Sequence, residues 1–105
     1  MALIIKGKSG TEYSFNNYLW PVKFQYGEAV YLFTKLKEGL YYPIYVGITN
    51  DLSSRFYDHH KEDCIFKQNG ATHLGILLES NEAKRKSIEK DILDLFNFPC
   101  NEVNN

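Results

Sequence analysis

Residues 45–60 read Tyr-Val-Gly-Ile-Thr-Asn-Asp-Leu-Ser-Ser-Arg-Phe-Tyr-Asp-His-His, and they bring a permanent cation close to a titratable imidazole. Arg55 and His59 are four apart, so on a helix they share a face. The stretch just before them, Ile44 to Ile48, is apolar and β-prone, which suits a buried strand, and it carries Tyr45. A phosphodiester attacked in line gathers negative charge on its equatorial oxygens. Arginine presents a rigid fork of donors that fits two of those oxygens and stays protonated. Histidine can position water or move a proton near neutral pH. The plainer reading of Arg55 is an exposed helix arginine in a weak salt bridge with Asp51 or Asp58.

These side chains need a strand, a turn and a helix to hold them. Gly47 inside the strand marks a close backbone approach. Thr49, Asn50 and Asp51 offer capping oxygens, and Leu52 and Phe56 lie four apart, which predicts a helix over roughly Asp51 to His60. Upstream, residues 3–6 and 11–16 flank Gly7-Lys-Ser-Gly10 and read as a β-hairpin that adds strands or covers an edge. Residues 17–28, with Trp20-Pro21 and Tyr26-Gly27, form an aromatic connector. Residues 29–34 and 41–48 are two strands joined by a short Lys-Glu-Gly turn, hence antiparallel, with Pro43 near a strand start where it is tolerated. Residues 61–70 suggest a short helical turn around Cys64–Phe66. Residues 72–78 are a third strand. Ser80 then caps a long helix with Ile88, Ile92, Leu95 and Phe96 as its apolar stripe, Glu89 at the margin of that stripe, and Pro99 as its stop. The sum is an α+β domain: one small mixed or antiparallel sheet flanked by helices, with an added N-terminal hairpin.

The bulk properties narrow the class. One hundred and five residues make a single domain, 44% of it hydrophobic and 15% aromatic, so the chain is globular. A formal net charge of −1 argues against a general polyanion coat, although a local basic patch suffices for nucleic acid. Lys61, Lys67, Lys84, Arg85, Lys86 and Lys90 offer either a phosphate track or an ordinary solvated face. Two cysteines, Cys64 and Cys100, are too few for a disulfide framework and match no zinc spacing, so they read as buried free thiols. No apolar stretch reaches the length of a membrane span, and the first residues lack a signal pattern. A reducing, cytoplasmic location is the expectation.

In order along the chain, Ala29-Val30-Tyr31, Tyr45-Val46-Gly47, Arg55 ten residues after Tyr45, His59 four further on, Glu89 in the late helix, and Pro99 with Asn101 form a set. This set resembles the GIY-YIG endonuclease family over about residues 27–101, with residues 1–24 outside the minimal module. Ala29 departs from the family's glycine. The resemblance implies a divalent-metal-dependent endonuclease that hydrolyses phosphodiester bonds of DNA. Its catalytic residues would be Tyr31, Tyr45, Arg55, His59 and Glu89. Glu89 would hold Mg²⁺ or Mn²⁺, Arg55 would face the scissile phosphate, and one of the two tyrosines would help deprotonate water.

Physical chemistry is compatible with these roles. One carboxylate with waters and a substrate phosphate is a common way to hold Mg²⁺. Phenols titrate near ~10, so a tyrosine base needs a metal or an arginine to lower it. DNA against RNA is open, as is monomer against homodimer. Two other classes compete: a nucleic-acid-binding module of the same fold without turnover, suggested by Ala29 and the charge, and a protein-interaction domain using the aromatic segment around Trp20 and Tyr26.

Overall fold

The computed structural model describes residues 2–56 and 61–101. Five strands form one antiparallel sheet: β1 (Ala2–Lys6), β2 (Glu12–Leu19), β3 (Ala29–Lys37), β4 (Leu40–Thr49) and β5 (His73–Leu78), in spatial order β1-β2-β5-β3-β4. The one-turn helix α1 (Leu52–Arg55), a π-helical segment (Asp63–Gln68) and the long helix α2 (Glu82–Leu95) complete the chain. The expected α+β class holds, and the sheet is antiparallel throughout. No described helix is long and apolar enough to cross a membrane.

Residues 29–34 are buried without interruption because β3 has a core on both sides. Tyr31 and Phe33 face one core with Ile44, Tyr45, Leu52, Ile65, Leu74 and Ile76, and Trp20, Val22 and Phe24 of the connector pack onto it. Val30 and Leu32 face the other core with Phe15, Val46, Ile92 and Phe98, beneath α2. The β3–β4 turn is tight, with Glu38 and Gly39 both at positive φ (54° and 78°) as such hairpin turns require. Pro43 falls beside a register shift between Phe33 and Thr34, on an edge strand where a missing N–H is tolerated.

The N-terminal hairpin is part of the sheet, because β2 pairs with β5 from Asn16–Ile76 to Leu19–His73. Its loop is clamped to α2 by Asp91. The Ser9 amide donates to Asp91 Oδ1 at 2.8 Å, and Ser9 Oγ and Tyr13 Oη donate to Oδ2 at 2.6 and 2.7 Å. The Lys8 amide donates to the Asp91 carbonyl at 2.9 Å. A side chain at Gly7 would collide with the Asp91 carboxylate.

At the opposite edge the chain after α2 folds over β4. Phe98 packs in the core under α2, and Cys100 packs in the other core. The Cys100 amide donates to the Ile44 carbonyl at 3.1 Å. The Asn101 side chain accepts from Val46 N at 3.0 Å and donates to Val46 O at 2.9 Å. One amide group thus satisfies both outward backbone groups of an edge residue, which blunts that edge.

Three expectations need correction. Cys64 and Cys100 are disulfide-bonded across 36 residues, not free thiols. Closing a loop of that size stabilises by about 4 kcal/mol in the chain-entropy picture. The pairing also removes the thiol count as an argument for a reducing compartment. Second, α2 is capped by Asn81, whose side chain accepts from Lys84 N at 3.0 Å, one residue beyond Ser80. Third, the helix expected from Asp51 to His60 is a single turn ending with Phe56 as its cap; the remaining four of those positions, 57–60, lie outside the described residues.

Its hydrogen bonds from Ser9 and Tyr13 hold the Asp91 carboxyl below the usual carboxylate range. A group lowered in the folded state stabilises at pH values above its unfolded pKa, ~3.9, and loses that contribution as pH falls through the lower folded value. Asp91→Ala should therefore lower Tm at pH 7 and release the Ser9 amide in hydrogen exchange, whereas the Lys8 amide keeps its bond to the residue 91 carbonyl. The gap from wild type should narrow only below pH ~4. Unchanged protection of the Ser9 amide would show that the carboxylate clamp contributes nothing.

Candidate functional site

Tyr31 sits mid-strand on β3, directly opposite Gly47 of β4. A methyl group at position 47 would lie 2.6 Å from both Cζ and Oη of Tyr31. The close approach foreseen at Gly47 is therefore made by this phenol. Tyr45 faces the same core, its ring centroid 6.0 Å from that of Tyr31 and the two rings tilted by 39°. Arg55, the last residue of α1, donates from Nε to Tyr31 Oη at 2.9 Å.

The turn carrying Arg55 is held at both ends. Asp51 caps it, accepting from Ser53 N at 3.0 Å and from Ser54 Oγ at 3.1 Å. The Leu52 amide donates to the Gly27 carbonyl at 2.8 Å while the Leu52 side chain is buried. At the C-terminal end Phe56 sets its ring edge-on to Tyr31, centroids 5.0 Å apart. The plain reading of Arg55 as an exposed salt-bridging residue does not describe this contact, since its partner is a buried phenol.

The electrostatics assign the phenols different parts. Tyr31 is fully buried, and burial pushes its pKa far above the usual value. Neighbouring Tyr45 pushes it further, and Arg55 offsets only part of the rise. Tyr31 is therefore a neutral hydroxyl at physiological pH and unsuited to act as a general base. Its geometry suits it to orient Arg55.

Glu89 lies on α2, half-buried, next to Ile88 at the margin of the apolar stripe as its spacing implied. Burial raises its pKa, and the Arg55 guanidinium lowers it in part. The two charges are thus within electrostatic reach, although α2 covers the sheet face opposite the tyrosines. Arg85 is not the partner of Glu89. It is buried and turns to Glu28 Oε2 at 3.3 Å and the Glu79 carbonyl at 2.9 Å.

So Tyr31, Tyr45 and Arg55 are joined by direct contacts, and Glu89 is joined to them through the field of Arg55. His59 lies outside the described residues. Among the described residues no group of three or more His, Cys, Asp or Glu side chains gathers as a metal site. The basic track is thinned, because Lys67 pairs with Asp63 (3.3 Å), Lys90 with Asp94 (2.8 Å) and Arg85 with Glu28. Asn101, noted in the sequence only as a motif match, braces β4 at the residue between Tyr45 and Gly47. Only its distance from the sheet edge could have revealed this, and spacing does not encode that distance.

No family model matches the chain, and neither does any curated protein or solved structure. The site is therefore read from its own geometry.

Gly47→Ala should push the Tyr31 ring out of register and cost about 1–3 kcal/mol, the usual range for overpacking a tight interior. Urea unfolding measures it, and a cost near zero would mean the phenol is easily displaced. For Glu89, a raised folded pKa means that its contribution is fully present below the unfolded value, ~4.3, and lost as pH rises through the folded one. Glu89→Gln should accordingly melt above wild type at pH 7, with the gap closing toward pH 4. A variant that melts lower at pH 7 would contradict the desolvation argument.

Proposed function

We propose that this protein is a divalent-metal-dependent endonuclease acting on phosphodiester bonds of DNA, similar in its site to the GIY-YIG nucleases. The observation that carries the reading is the Arg55 Nε to Tyr31 Oη bond with Tyr45 alongside. It fixes a permanently charged donor fork in one orientation, as phosphate binding in a defined pose requires. A fixed cation aimed at developing negative charge needs no reorganisation during reaction.

Each residue then has a part. Arg55 binds the phosphate oxygens. Tyr31, neutral and buried, orients Arg55 and is a positioning residue. Tyr45, 7% exposed, is the phenol placed to assist proton removal from water. His59 keeps the proton-handling part its type suggests. Glu89 would hold Mg²⁺ or Mn²⁺: it is a half-buried carboxylate whose ionisation is opposed by burial, so a divalent cation would favour its charged form. When bound, the metal supplies Lewis-acid polarisation of the phosphate. A monomer or homodimer belongs to the same reading, whereas the Cys64–Cys100 bond favours an oxidising compartment over the cytoplasmic residence expected from the sequence.

A second reading, binding without turnover, is favoured by the neutrality of Tyr31, since Arg55 and the phenols alone would hold a phosphate. Cleavage of plasmid and branched DNA with Mg²⁺ or Mn²⁺ separates the two. Wild type should cut, and Arg55→Ala and Glu89→Ala should each be slower by roughly 10²–10³. Mg²⁺ should raise the Tm of wild type and leave that of Glu89→Gln unmoved. Salt-sensitive binding with no product at any metal concentration selects the second reading, and equal cutting by wild type and both alanine variants removes the assigned site.

A further inference from the structure

The turn that carries Arg55 also walls a cleft of about 400 Å³. Leu52, Ser53 and Phe56 form one side, and the connector from Trp20 to Phe24 forms the other. Its size is in the range of small-ligand sites. The walls are mainly apolar, and Trp20, Phe24 and Phe56 give them three aromatic rings. Phe56 is shared between the two features: its ring lies 5.0 Å from Tyr31 and 5.9 and 6.1 Å from Trp20 and Phe24, centroid to centroid. The cleft and the Tyr31 phenol that holds Arg55 therefore share Phe56 as a neighbour.

Charge indicates the occupant. Lys23 is the one charged side chain among the described lining residues, and Arg55 immediately precedes the lining residue Phe56 in the chain. No acidic side chain lines the cleft among the described residues. A ligand with a flat apolar part and a negative part suits this pairing, and a nucleotide has both, joined through one sugar. Aromatic side chains are the usual stacking platforms for unpaired bases. Polar groups that could read a base edge are few. Ser53 Oγ already donates to Asp51 Oδ1 at 2.5 Å, which leaves it only as an acceptor, and Lys23 only donates. Bases should thus be accepted with little discrimination.

We propose that this cleft takes the unstacked base of the nucleotide adjoining the phosphate held by Arg55, so that the substrate carries an unpaired nucleotide at the cut. The inference rests on the phosphodiester reading above. It extends that reading to a substrate class, single strands and the unpaired parts of branched DNA.

Trp20 is the only tryptophan of the chain and lines the cleft, so its fluorescence reports occupancy. The full chain, without divalent metal so that nothing is cut, is titrated with a short labelled oligothymidylate and with an abasic strand of equal length. Anisotropy of the label reports binding, and Trp20 emission reports base entry. The expected result is binding of both strands, quenching of Trp20 by oligothymidylate alone, and affinity for it roughly tenfold higher, as stacking of a base implies. Val22→Phe, on the connector wall and away from the turn that carries Arg55, should fill the cleft, abolish the quenching and the tenfold advantage, and leave abasic binding unchanged. Equal affinity for the two strands with no quenching overturns the base site and leaves the phosphate reading standing. Failure to bind either strand overturns both.

Discussion

The contact between the Tyr31 ring and the bare backbone of Gly47 is the constraint from which the rest of the site follows. A close-packed interior has no spare volume, so the ring occupies the space that any side chain at position 47 would need. That fixes the hydroxyl at one point in the core. Arg55 then donates its Nε to that hydroxyl. Phe56 closes the arrangement from the end of α1. A cation, two phenols and a helix turn are oriented by the absence of one methyl group.

The sheet that supports this contact is secured at its two edges by polar groups instead of further apolar area. Asp91 gathers donors from Lys8 and Ser9 of the β1–β2 loop and from Tyr13 of β2, and the Asn101 amide and Cys100 backbone pair with β4. The difference in chemistry follows from position. The sheet centre is covered on both sides and can bury Phe, Leu and Val, whereas an edge offers unpaired backbone groups that only hydrogen-bonding partners can satisfy. The disulfide between Cys64 and Cys100 ties the β4 edge to the π-helical segment beside the aromatic core.

Electrostatically the site is expensive. A guanidinium is held against a buried phenol, and a carboxylate is half-buried at a place that disfavours its charge. The Arg55 guanidinium satisfies the Tyr31 hydroxyl and offsets part of the burial cost at Glu89. The burial of Tyr31 divides the labour between two residues that look equivalent in the sequence: one phenol is locked neutral and serves as a strut, and the other lies nearer the surface.

The sequence by itself determined the five strands, the hairpin at the front, the late amphipathic helix and the special status of Gly47, since alternation, apolar runs and turn residues act on neighbouring positions. It also placed Arg55 on a helix beginning near Asp51 and Glu89 at the edge of an apolar stripe, both of them periodicity arguments, although that helix is the single turn Leu52–Arg55. Tertiary structure alone decided that the hairpin pairs with β5, that Cys64 meets Cys100, that Arg85 turns inward to Glu28 and not to Glu89, and that the partner of Arg55 is a phenol. It also moved the cap of α2 from Ser80 to Asn81, because the side-chain geometry of two adjacent cap candidates selects between them where their residue types do not. The physical reason is common to all of these: backbone preference is set by residues a few positions apart, whereas burial, pairing and the pKa of a phenol depend on which distant segments the fold brings together.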